Sequence, residues 1–277
     1  MASPDYQAAP AAEKEINNAP SAGPPTQRYD YGGNPLYHAH TGGEARLPAF
    51  GGEFQPGLYR PTERRKLANP APLGLSAFAL TTFVLSLVNL QTRGITEANI
   101  ALSLAYGYGG LVQLLAGMWE MAVGNTFGAT ALSSYGGFWI SYAIILTPSF
   151  SVLSKYDEIG TASVLGFFLI GWFIFTFILF ILTLRSTVMF CLLFLTLDLA
   201  FLFLASAQFA TSNGSSAALG LQKAGGVFGL FAAFLAWYNA FAGIADTSNS
   251  FFIIPVFHFP WSERAREARN KTERETV

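Results

Sequence analysis

Apolar residues fill the middle of the chain in blocks far longer than a strand or an amphipathic helix requires. Segments 67–92, 98–119, 121–154, 159–184 and 224–245 carry no charge, and 186–222 is broken only by Asp198. Each can hold about 20 helical residues, which at a rise of about 1.5 Å cross a hydrocarbon core of about 30 Å. Lipid offers the backbone no hydrogen-bond partner, so such segments must be helical. Their apolar runs are continuous rather than alternating, which excludes barrel strands. The pattern predicts an all-α polytopic membrane protein with six transmembrane helices, at about 73–90, 100–122, 126–146, 164–184, 188–209 and 223–245.

Composition agrees, with 52% hydrophobic and 12% charged residues, against about 25% charged in an ordinary soluble domain. The charges crowd the two ends. Residues 1–66 are rich in Ala, Pro, Gly and polar side chains and are expected to form a disordered cytoplasmic tail, with no apolar core for a cleavable signal peptide. Residues 67–247 form the transmembrane unit, and 248–277 a cytoplasmic extension in which Phe251 to Trp261 is expected to lie along the interface. Arg60, Arg64, Arg65 and Lys66 precede the first helix, and Arg264, Arg266, Arg269, Lys271 and Arg274 follow the last. An even helix count puts both clusters on one side, and the positive-inside rule makes that side cytoplasmic. Arg185 then falls inside, and Arg93, Lys155 and Lys223 outside.

The formal net charge of -1, with no basic block beyond the membrane flanks, argues against a nucleic-acid partner. One cysteine, Cys191, allows no intrachain disulfide and reads as a small buried hydrophobe. His38 and His40 lie in the tail and His258 outside the helices, so neither a metal site nor a nucleophilic triad can be assembled on the helices. No enzyme activity and no cofactor are expected.

Chemistry begins with Asn69, Pro70, Ala71, Pro72, Leu73, Gly74, Leu75, directly after the first basic cluster. Asn is a good N-cap and Pro is tolerated in a first turn, so this spelling marks a helix start. The free N–H groups and partial positive charge there favour a carboxylate. Gln113 and Glu120 share a helix face two turns apart; the amide can donate to a substrate, and the carboxyl can bind or relay a proton or pair between helices. Asp198, at mid-membrane, is either a protonatable site by a pathway or an acid hydrogen-bonded between helices. Gly225, Gly229, Ala232, Ala233, Ala236 and Ala240 form a small-residue stripe suited to close helix approach, within a protomer or between protomers.

The opening heptapeptide resembles the signature of the acetate uptake transporter family, which includes bacterial succinate-acetate permeases and fungal acetate and ammonia-export members. The likeness continues through Tyr106 to Gly110, Gln113, Gly117 to Glu120, Gly124 to Gly128, and Ser134 to Trp139. The long tail and the extension from Asn249 to Trp261 look like fungal members. This resemblance implies a six-helix protomer with its own pore, assembled as a homo-hexameric ring and passing acetate with proton involvement. It implies a hydrophobic constriction of Phe78, Tyr135 and Leu197, adds Asn125 to the pathway, and puts Ala236 and Tyr238 near the inner pore.

Geometry can check the constriction. Phe78 lies nine residues past Asn69, Tyr135 ten past Asn125, and Leu197 ten past Thr187. All three therefore sit about 15 Å below the side on which odd-numbered helices start. Apolar walls strip hydration while a phenol hydroxyl keeps one hydrogen bond, which suits a molecule with one methyl and one carboxyl group. Charge at that depth costs several kcal/mol or more, favouring the neutral acid or a compensating proton. The expected function is transport of acetate and similar monocarboxylates, with succinate a further cargo, proton-coupled or channel-like, across the plasma membrane. Ammonia or ammonium export, and a membrane sensor or scaffold working through its tails, are the alternatives.

Overall fold

The computed structural model describes residues 67–246 and 248–262; the predicted tail, both basic clusters, His38 and His40 lie outside them. Six apolar helices form: α1 (Ala71–Asn89), α2 (Asn99–Ala122), α3 (Thr126–Leu146), α4 (Glu158–Thr183), α5 (Val188–Ser212) and α6 (Ala218–Ile244). All six are long and apolar enough to span a bilayer. The architecture is all-α, as the apolar blocks require.

Local chemistry sets the helix ends. Asn69 Oδ1 accepts from the Ala71 amide at 3.1 Å, one residue ahead of the formal cap at Pro70. Asn125 caps α3 by accepting from Gly128 N at 2.9 Å. Two starts lie outward of the hydropathy pattern. α4 begins at Glu158 rather than near 164, because Asp157 accepts from Gly160 N at 2.7 Å and adds negative charge to a positive helix end. α6 begins at Ala218 rather than near 223, so Lys223 is inside the helix, where its stem can run along apolar surface to water. At 25 to 27 residues, α4 to α6 are about 40 Å long and exceed the hydrocarbon core.

α1 packs against α6 and α2, α2 against α3, α6 against α5, and α5 against α4. Aromatic side chains span the remaining gap between α3 and α4: Phe138 stacks on Phe168 at 5.7 Å and meets Trp172 edge-on at 5.1 Å. The small-residue stripe works within this bundle. A Cβ on Gly229 would come within 2.2 Å of Ser86 Oγ on α1, and one on Gly225 within 2.6 Å of Leu204 on α5. Bare backbone there lets α6 lie against both neighbours, as in other membrane bundles. Phe167, Ile174, Phe177, Ile178 and Ile181 of α4 are exposed, a face that hydrocarbon accepts and water would not.

Beyond α6 the chain turns at Asp246, whose carboxylate accepts from Ser248 Oγ at 2.6 Å and from Ser248 N at 2.8 Å. Those bonds hold the carboxyl below the usual Asp range. The following stretch does not simply float at the interface. It returns to the bundle, where Thr187 and His258 form an isolated antiparallel bridge.

Candidate functional site

Phe78 on α1 and Tyr135 on α3 face each other with ring centroids 6.1 Å apart, and Tyr135 also meets Phe194 of α5 at 6.4 Å. Leu197 lies one turn beyond Phe194. Phe78, Tyr135 and Leu197 are all buried, at 4%, 3% and 5% exposure. Three helices starting from one end bring these side chains together because each carries its residue at a similar distance from that start.

Two cavities lie on either side. The smaller, of about 30 Å³, is walled by Leu75, Phe127, Phe190 and Phe194, with Gln113 as its polar member. The larger, of about 90 Å³, is walled by Thr82, Ser86, Asn89, Trp139, Tyr142 and Gln208 among others. Phe78 and Leu197 line both, and Tyr135 lines the smaller. Since about 10 to 15 Å³ admits one water, the smaller has room for one or two and the larger for several.

The polar groups in these walls are not all occupied by protein. Gln113 is fully buried, and neither end of its amide has a protein partner. Thr82 Oγ1 and Trp139 Nε1 are likewise buried without one. By contrast, the Tyr135 hydroxyl pairs with Thr176 Oγ1 of α4 at 2.9 Å. The hydroxyl expected to greet a substrate is thus already engaged.

The remaining candidates separate. Glu120 is fully buried where α2 ends, beside the Asn125 side chain and the Ala71 amide, so that it faces the starts of α1 and α3. Neither of its oxygens reaches hydrogen-bond geometry with the protein. It lies outside both cavity walls, as does Asp198, which is buried with Oδ1 unpartnered. Ala236 is packed in the core at 0% exposure. Tyr238 borders a groove on the outside of α1 and α6 and donates its hydroxyl to the Pro255 carbonyl. The residues that hydropathy alone passed over are Thr82, Ser86 and Asn89. Their spacing of three and four continues the Phe78 face of α1, a signal readable in the sequence once Phe78 is taken as inward.

Residues 50–261 match the model of the GPR1/FUN34/yaaH family. The chain belongs to that family. It is 64% identical over 256 residues to "Acetate permease A" of Emericella nidulans, covering 90% of this chain and 85% of that relative. It is 50% identical over 218 residues to "Ammonia transport outward protein 2" of Saccharomyces cerevisiae, covering 78% and 75%. Among solved structures, that described as the bacterial acetate channel SatP superposes with a TM-score of 0.60 at 33% identity, covering 69% of this chain and 99% of that one. The six-helix fold and the membrane setting of this family member therefore rest on likeness in both sequence and structure.

Proposed function

We infer that this protein carries acetate and similar short monocarboxylic acids across a membrane, along a path through the bundle that narrows at Phe78, Tyr135 and Leu197. The observation that carries the reading is the pair of cavities on opposite sides of one shared apolar waist. The side chains of that waist offer an anion no charge, so the acid crosses neutral or with a proton. Gln113 on one side and Thr82 with Trp139 on the other offer hydrogen bonds to the carboxyl group, compensating the hydration it loses. Glu120, fully buried beside the Asn125 side chain and the Ala71 amide, is the candidate proton carrier; Asp198 is the second. Asn69 and Asn125 act by fixing the helix starts that Glu120 faces. The relatives described by acetate support this cargo over ammonia.

Both termini are assigned to the cytoplasm from the basic clusters flanking the spans, and the plasma membrane is the proposed location. A homo-hexamer with one path per protomer is the assembly that the family resemblance implies. The deciding experiment is uptake of labelled acetate into sealed vesicles holding the full-length protein, with labelled methylammonium as the competing cargo. Acetate uptake that exceeds empty vesicles and changes in Leu197→Ala supports the reading. Methylammonium flux without acetate flux would move the protein to the ammonia reading.

A further inference from the structure

The stretch after α6 makes contacts that a loose interfacial tail would not. Every α-helix leaves backbone N–H groups free at its start and carbonyls free at its end. Here one segment meets both kinds on adjacent helices. Trp261 Nε1 donates to the Leu184 carbonyl at the end of α4, at 2.8 Å. The Phe257 carbonyl accepts from Val188 N, the first residue of α5, at 2.7 Å. The Pro255 carbonyl accepts from Tyr238 on α6. Ile254 and Ser262 are buried, and Phe259 stacks on Trp261 at 4.9 Å.

One of these bonds and the Thr187–His258 bridge hold the start of α5, whose Phe190 and Phe194 wall the smaller cavity opposite Phe127, with ring centroids 5.5 and 5.4 Å away. The segment also carries strain. Phe257 sits at φ +50°, a left-handed conformation that a bulky side chain disfavours, and it is the residue whose carbonyl holds Val188. Strain at the contact point makes the docked arrangement one that can release.

We propose that residues 249–262 form a clasp that caps α4 and α5 together, ties them to α6, and so fixes the spacing of α5 from α3 that limits the size of acid passing the smaller cavity. Releasing the clasp lets the start of α5 move away from Phe127 and admits longer chains. The size limit rests on the transport reading above; the mobility of α5 does not.

The test uses the full-length protein in lipid vesicles. Val188→Pro removes one hydrogen bond without breaking the helix, because Pro is tolerated at a first helical position and Thr187 before it is already extended, at φ -102° and ψ 154°. Trp261→Phe removes the other and keeps the ring. Cys191, buried in the first turn of α5, reports directly through its rate of labelling by N-ethylmaleimide. The double variant is expected to label severalfold faster than the unaltered protein and to raise the ratio of butyrate to acetate uptake severalfold. A disulfide between Thr187→Cys and His258→Cys, made in a Cys191→Ala background, is expected to return that ratio to its original value in the double variant. Paired residues of an antiparallel bridge have the Cα separation such a bond needs.

Unchanged labelling overturns the clasp. So does a fall in uptake of both acids by the same factor, because that is what a merely weakened fold would give. If the unaltered protein moves no acetate, the transport reading fails by itself, while the labelling rate still decides whether the segment restrains α5.

Discussion

At Tyr135 the hydroxyl donates to, or accepts from, Thr176 rather than pointing unengaged into a cavity. Tyr135→Phe should therefore keep acetate uptake within about twofold and lower stability by about 1 kcal/mol, the net worth of one buried hydrogen bond, as read by thermal unfolding in detergent. Leu197→Ala acts differently. It removes a wall shared by both cavities, so it should cost about 2 to 5 kcal/mol of stability while raising butyrate uptake relative to acetate. Glu120→Gln keeps the shape of its side chain and loses the titratable proton. If Glu120 carries the coupled proton, acetate uptake in this variant loses its dependence on the imposed pH gradient, and a preserved dependence would mean that the acid crosses neutral or that Asp198 takes that role. The polar row Thr82, Ser86 and Asn89 was legible as spacing but not as function. Only burial against Trp139 and Gln208 shows that this face of α1 looks inward rather than toward lipid.

Among the helices, α3 and α5 start where the sequence places them, at 126 and 188, whereas α4 and α6 start about five residues earlier than hydropathy implies. Asp157 lies just beyond an apolar block, and hydropathy stops at such a residue although its side chain is what starts α4. Asp157→Ala should destabilise by about 1 kcal/mol, measurable as a lower unfolding temperature without change in the acid preferred. The α1 to α6 contact is less forgiving. Gly229→Val would drive a side chain into Ser86, and two helix backbones must separate to take it. Loss of folded protein in detergent chromatography is the expected result. The small-residue stripe was visible in the sequence, but its partners were not, since the same stripe serves contact within a protomer or between protomers. Its glycines are used here inside the bundle.

At the scale of the bundle the six helices carry only Glu120, Glu158, Asp198 and Lys223 as charged residues, and no cation lines either cavity to balance an acetate anion. Acetate entry into vesicles should thus acidify the interior, which a trapped pH-sensitive dye will follow, and should grow as the outside is made more acidic. Membrane spans and helix class were determined by the sequence alone, because twenty apolar residues in hydrocarbon have one way to satisfy their backbone. The common level of Phe78, Tyr135 and Leu197 followed too, since helical rise turns residue number into depth. Rotation about each helix axis was decided only by tertiary packing. That rotation turned Gln113 into a cavity, left Asp198 and Glu120 outside its walls, engaged the Tyr135 hydroxyl and set Tyr238 against the returning segment. Depth is a property of one chain segment, whereas facing depends on all the helices packed against it, and a nearly uniform apolar helix carries little record of which side they occupy.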